Sequence, residues 1–230
     1  MENVVKKKYV TLNKKWKEIV FAASGFGPNL LMVLMGAMFT DAINPAALNE
    51  GSLQAIGNVC YVMPLLFPIL WALAKAFDGI IDIPLAALTD SLQTKWGKRR
   101  PPIVVCFLPM VLAYVMCWIP IGGAEESARL LNTIWIIFWA LIFFATYTMN
   151  LIAYYGSLSQ VCSDDSQRLR VSSFKSFFDT ISYCLVYALV PLLLEAFAIH
   201  IDKLVFILCP LMITMLIPVF MIKEGEKFEK

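Results

Sequence analysis

Six stretches of the chain stay apolar long enough to cross a bilayer, which takes about 20 residues of helix at 1.5 Å per residue. They run roughly Ile19–Ala42, Asn58–Leu88, Ile103–Ile121, Leu131–Leu158, Val171–Ala198 and Leu204–Ile222. The second is long enough to tilt or to project beyond the hydrocarbon. Short polar connections separate the six. The pattern predicts an all-α membrane protein: a six-transmembrane-helix bundle over 19–222, with a polar tail at 1–18 and a second polar segment at 223–230.

Composition agrees with a lipid solvent. Of the 230 residues 60% are apolar and 16% charged, against about 45–50% and about 25% in soluble domains. A soluble core of this size leaves too much surface outside to hide that excess. The net charge of +2 is too small to point to nucleic acid, and no nucleic-acid partner is expected. Cys60, Cys106, Cys117, Cys162, Cys184 and Cys209 are scattered, with no C-x-x-C pair. They read as packing residues or free thiols, with Cys162 in a polar loop and the others in apolar stretches. The Lys-rich start lacks a small-residue cleavage site and does not read as a cleavable signal peptide.

The basic residues give direction. Lys6, Lys7, Lys8, Lys14, Lys15 and Lys17 precede the first span, and Lys95, Lys98, Arg99 and Arg100 fill the second connection. Arg168, Arg170 and Lys175 follow the fourth span, and Lys223, Lys227 and Lys230 follow the sixth. The opposite side holds Arg129 and Lys203. Cytoplasmic loops carry the excess of Lys and Arg. Both termini are therefore expected in the cytoplasm, and the chain is expected to be a multi-pass protein of the cell membrane, with the lipid bilayer as a partner.

Lys75, Asp78 and Asp82 interrupt the second span. Spacings of i, i+3 and i+7 put all three on one helical face. Charges in hydrocarbon cost several kcal/mol each, so the face turns to the bundle interior or to a wet cavity. Two carboxylates one turn apart offer oxygen ligands to a small hard cation, and without one their repulsion favours a proton. Asp78 and Asp82 are therefore candidate ligands for Na+, or exchangers of H+. The competing reading is an internal ion pair, with Lys75 neutralising Asp78 to stitch helices together.

Ser24-Gly-Phe-Gly-Pro-Asn29 breaks the first span near mid-depth. Asn29 offers an amide oxygen to a cavity there; alternatively the glycines serve close helix packing. In the fourth span Trp135, Trp139, Tyr147 and Tyr154 suit packing or interfacial anchoring, and Asn150 is a candidate cavity-facing amide. Asp179 is expected to pair with Arg168, Arg170 or Lys175, and His200 to be solvated. In the second connection Asp90 is placed to accept hydrogen bonds from basic groups. Trp96 suits the headgroup region, Gly97 permits a tight turn, and Pro101 and Pro102 suit a helix start. No nucleophile–base pair, P-loop or dinucleotide fingerprint is present, which argues against an enzyme and against an ATP-driven pump.

The stretch from Asp78 through Asp82, Pro84, Asp90, Trp96-Gly97-Lys98-Arg99-Arg100 to Pro101 resembles the signature of the glycoside–pentoside–hexuronide:cation symporters, the melibiose-permease-like branch of the major facilitator superfamily. Tyr155-Gly-Ser-Leu158, Asp165, Arg168 and Lys175 resemble that family's loop between its fourth and fifth helices. The resemblance implies that Asp78 and Asp82 are the cation-coupling carboxylates and that Lys75 tunes them. Asn29, Asn150 and Lys175 would line the solute path. Asp90, Trp96, Gly97, Lys98, Arg99 and Arg100 would form a cytoplasmic gate loop. The departures fall on the galactoside half, where Asn29 stands where the best-known sugar symporters have Asp and Ile152 near a second such Asp, and on the loop motif, where Pro84 is displaced by one residue and Ala86 and Ser91 replace a usual Gly and Arg.

A full member of that family has about twelve spans in two halves. The resemblance therefore implies the N-terminal half of a major-facilitator fold, with 223–230 as the start of the central cytoplasmic loop. The expected function is cation-coupled symport of a sugar, glycoside or similar small-molecule solute by alternating access. No cofactor is expected beyond the coupling ion, Na+ or H+. The expected protein partner is a second six-helix half, as a separate chain or a second copy. The rival readings are a lipid or amphiphile carrier of the same fold, and a non-transporting scaffold or truncated remnant.

Overall fold

The computed structural model describes residues 12–44, 53–56 and 60–222. The outer parts of both predicted polar segments, 1–11 and 223–230, and the predicted start of the second span at Asn58 lie outside the described residues.

Helices account for about four-fifths of the described chain. The first span is α1 (Lys15–Ala23) and α2 (Phe26–Ile43), joined through Ser24 and Gly25. The second is α3 (Leu66–Ser91), the third α4 (Arg100–Cys117) and the fourth α5 (Arg129–Val161). The fifth joins α6 (Asp165–Cys184), a wide π turn at Leu185–Leu189 and α7 (Val190–Phe197). The sixth joins α8 (Ile201–Leu208), a tight 3-10 stretch at Cys209–Leu216 and α9 (Ile217–Met221). Five of these six are long and apolar enough to cross a membrane with at most two charges in the apolar stretch. The sixth is α3, whose 26 residues give about 39 Å of helix but carry Lys75, Asp78 and Asp82.

The irregular turns sit beside prolines. Pro191 lacks the N–H that would bond back to Tyr187, and the backbone before it widens. Pro210 and Pro218 lie at the two ends of the tight stretch in the sixth span. These spans are single apolar runs in the sequence yet compound helices in the fold.

The second span starts at Leu66, eight residues later than the hydropathy predicts. The backbone of 60–63 is committed elsewhere. The Cys60 carbonyl accepts from Arg129 Nε at 3.2 Å, the Tyr61 carbonyl from Asn132 Nδ2 at 3.0 Å, and Met63 N–H donates to Thr133 Oγ1 at 3.0 Å. Asn132, fully buried, also accepts from Gly122 N–H at 2.7 Å. One side chain therefore ties two connections to the start of α5. Asn132→Ala leaves those buried groups unpaired, at about 1–3 kcal/mol. The expected result is a lower thermal unfolding midpoint in detergent with the helical content unchanged.

α5 packs against both α3 and α4, α1 against α6, and α2 against α6 and the tight stretch of the sixth span. The last contact is close: a Cβ on Gly27 would meet the Leu211 carbonyl oxygen at 1.9 Å. At Gly25 a Cβ would have ordinary room, 3.6 Å from Tyr154. The core between α2, α4 and α5 is aromatic, with Phe39, Trp118, Tyr114 and Phe143 in successive ring contacts. Outward faces are apolar too: Ile69, Leu73, Ile80 and Ile83 of α3 are 60–79% exposed. Helices that turn such faces outward suit lipid or a partner surface.

His200 is half-buried rather than solvated. Its Nδ1 lies 3.1 Å from the Ala55 carbonyl, and Ile201 N–H donates to Leu53 O at 3.0 Å. Cys162 is a buried cap of α5 rather than a loop residue, and all six cysteines are free thiols.

Candidate functional site

Lys75, Asp78 and Asp82 fall along the side of α3 that meets α5. Ala74 and Thr89, both buried, mark that helix's packed side. Asp78 Oδ1 accepts a hydrogen bond from Thr148 Oγ1 of α5 at 3.0 Å. Lys75 Nζ lies 3.9 Å from the centre of the Phe144 ring, one turn away on α5. Lys75 rests on this ring and not in an ion pair with Asp78, so the competing reading of a helix-stitching pair is not met. A cation over an aromatic face keeps part of its stabilisation without a carboxylate.

Beside this contact is a cavity of about 560 Å³. Asp78, Gly79, Asp82, Ile83 and Ala86 line it from α3. Tyr147, Thr148, Leu151, Ile152 and Tyr155 line it from α5. Two carboxylates and a hydroxyl thus meet an otherwise apolar and aromatic wall. Such an oxygen donor set suits a small hard cation. Among the described residues no group of three or more His, Cys, Asp or Glu is gathered for a metal ion.

A second polar cluster adjoins the tyrosines. Lys175 Nζ donates to Asp179 Oδ2 at 2.5 Å, and Asn29 Nδ2 donates to Asp179 Oδ1 at 3.1 Å. Tyr147 OH donates weakly to Asn29 Oδ1 at 3.5 Å, and Lys175 Nζ sits 4.6 Å from the Tyr155 ring centre. Asn29 and Lys175 are therefore one side chain removed from the cavity that Asp78 and Asp82 line. Of the three bases offered to Asp179 by the sequence, Lys175 is the partner. Arg170 instead pairs with the buried Glu18 at 3.3 Å, and Arg168 with Asp165 at 3.5 Å.

Asn150 does not join this site. It is 1% exposed and points to α4, with Nδ2 3.4 Å from Met110 Sδ and Oδ1 without a partner. The reason is helical phase: two residues from Thr148 is about 200° around the helix. Thr148 is the site residue that the sequence did not single out, while Tyr155 stood out only in a loop resemblance and Asp179 only as an ion-pair partner; Thr148 and Tyr155 nevertheless carry a signal. Their signal is a polar and aromatic stripe, Tyr147, Thr148 and Tyr155, on one side of an apolar span.

The second connection closes on itself. Arg99 Nη2 pairs with Asp90 Oδ1 at 2.6 Å, and Lys98 Nζ donates to the Asp90 carbonyl at 3.1 Å. Thr94 and Gly97 form a backbone bridge with Gly97 at φ 96°, a left-handed conformation that favours glycine. Trp96 is 64% exposed, and Arg100 begins α4. Arg99 reaches Asp90 by lying across Gly156 of α5, where a Cβ would meet its Cζ at 2.5 Å.

Fold and site together define a polytopic helical membrane protein with charged groups held at a cavity between its helices. Residues 56–223 match the family described as MFS/sugar transport protein, most of the chain, and the chain belongs to that family. Over 169 residues, 70% of the chain, it is 25% identical to an uncharacterized symporter of Synechocystis sp.. The match spans 28% of that relative's length. The helical spans are accordingly an all-α bundle of the major-facilitator type.

Proposed function

We propose that this chain is the N-terminal six-helix half of a cation-coupled solute symporter of the melibiose-permease-like kind. Asp78, Asp82 and the Thr148 hydroxyl hold one Na+, or exchange a proton. Asn29, Lys175 and Asp179 form the polar flank of the solute path, and Tyr147 and Tyr155 its aromatic wall. The half rocks against a second six-helix half, with the Asp90–Arg100 loop as a latch. Both termini lie in the cytoplasm of a cell whose membrane the chain crosses six times. A fluorescent protein fused after Lys230 is then expected to fold and fluoresce, and an alkaline phosphatase fused there to be inactive.

The observation that carries the reading is the convergence of both carboxylates on one cavity with Tyr147 and Tyr155. Buried or cavity-facing charges at membrane depth are expensive and mark ion pathways. The test is calorimetric titration of the purified full chain with NaCl against choline chloride. Saturable binding of Na+ alone supports the reading. Featureless dilution heats for both salts at alkaline pH would exclude Na+, and if proton uptake on acidification were also unchanged by Asp78→Asn and Asp82→Asn the reading would fall, leaving the non-transporting scaffold.

A second reading keeps the fold and changes the cargo. Ile83, Ala86, Leu151 and Ile152 give the cavity a long apolar wall, which favours an amphiphile over a free sugar. Competition of alkyl glycosides, free glycosides and lysolipids for the same chain separates the two. Tight binding of lysolipid without any glycoside response selects the amphiphile carrier.

A further inference from the structure

The Lys175–Asp179 pair is an i, i+4 contact, a spacing that on most helices is a solvated ornament worth little. Here it is half-buried and not isolated. The side chains are 11% and 29% exposed. Asp179 is shared with Asn29 from another helix, and the Lys175 ammonium also faces the Tyr155 ring. A carboxylate plus an aromatic face is a binding environment for any monovalent cation, not for lysine alone. The same Tyr155 lines the cavity beside Asp78 and Asp82.

Charge balance sets what the site can take. Asp78, Asp82 and Asp179 supply three carboxylates, and Lys75 and Lys175 two ammonium groups, a formal charge of −1. Uncompensated charge beside a partly desolvated cavity costs free energy, most for the half-buried Asp78 and Asp179 and least for the exposed Asp82. One external monovalent cation brings the set to zero. With residue 175 neutral the deficit would be two charges.

We infer that Lys175 is a built-in counter-cation: its ammonium fills a second cation position, formed by Asp179 and the Tyr155 ring, and so limits the chain to one external monovalent cation. The inference rests on the proposed coupling site only for the identity of the first ion. Its own position is tested separately.

Equilibrium dialysis of the intact chain in detergent against radioactive Na+ reads the number of ions directly. The wild type is expected to hold one Na+. Lys175→Met and Lys175→Gln, which keep the stem and remove the charge, are expected to hold one more. Lys175→Arg keeps the charge and is expected to match the wild type. The double variant Lys175→Met with Asp179→Asn removes both charges and is expected to return to the wild-type number. Circular dichroism and gel filtration check that each variant is folded. Should the Met variant aggregate, the Gln variant carries the same expectation.

A wild type that binds two ions overturns the inference, as does a folded charge-removed variant that gains none. A wild type that binds none, with a Lys175→Met variant that gains one, supports it. That second pattern would instead refute Na+ coupling at Asp78 and Asp82, so the two failures are distinguishable.

Discussion

Asp78→Asn is expected to lower Na+ affinity by at least about a hundredfold, a loss of roughly 2.7 kcal/mol. Asn has nearly the same shape and can still accept from the Thr148 hydroxyl, which Asp78 engages at 3.0 Å. The local packing of α3 on α5 therefore stays, and what disappears is one full negative charge beside the bound ion. At a few ångströms in a partly desolvated cavity that charge dominates the binding energy. Asp82→Asn removes the second carboxylate and is expected to act alike. Thr148→Val removes a neutral oxygen and is expected to weaken binding only about tenfold, in keeping with a single uncharged ligand. Asp90→Asn, in the last turn of α3 beyond the cavity, is expected to leave the affinity unchanged. Titration calorimetry on the four variants checks the order. Equal affinities for Asp78→Asn and wild type would remove Asp78 from Na+ coupling.

Gly27→Val is expected to destroy the bundle as an isolable species. The α2 backbone at Gly27 lies against the carbonyl of Leu211, and the first side-chain carbon would already sit 1.9 Å from that oxygen and 2.8 Å from Thr214 Oγ1. The listening partner is backbone, so no rotamer change relieves the clash. The first and sixth spans must separate. Overpacking of a tight contact costs about 1–3 kcal/mol where side chains can yield, and more where they cannot. Small residues allow membrane helices to approach this closely, and their loss removes the packing that holds helices together in lipid. The control is Gly36→Ala, where a Cβ meets nothing within 4 Å and helix propensity improves by about 0.5–1 kcal/mol. Gel filtration and thermal unfolding of the two variants are expected to diverge. A Gly27→Val protein that elutes and melts like the wild type would show that the contact can open freely.

The spans were legible because lipid imposes one rule on every residue of a span, and hydropathy reads that rule directly. Their internal form was less so. Pro191, Pro210 and Pro218 announce irregularity, but whether the turn widens, as at Leu185–Leu189, or tightens, as at Cys209–Leu216, depends on neighbouring helices. The start of the second span failed for a similar reason: the hydrogen bonds of 60–63 are claimed by α5, some 70 residues away. At the site, the spacing of Lys75, Asp78 and Asp82 fixed a common face but not the partner of each charge. That Lys75 would rest on Phe144 needs the register of α3 against α5. Asn150 turns toward α4, and the sequence does not show this because α5 is apolar almost all round and does not reveal which side meets α3 and which meets α4. Asp179 found its partner at i+4 spacing, whereas the partner of Arg170, Glu18, lies 152 residues earlier.

Gly156 follows Tyr155 directly along α5, and this adjacency ties two distant tasks to one stretch of backbone. Tyr155 looks into the cavity, while its neighbour is the bare shelf on which Arg99 rests on its way to Asp90. Any slide or roll of α5 that repositions the ring also tilts the shelf beneath the guanidinium. The grip at the end of α3 is thereby geared to the wall of the cavity by a single peptide link, with no relay of intervening side chains between them.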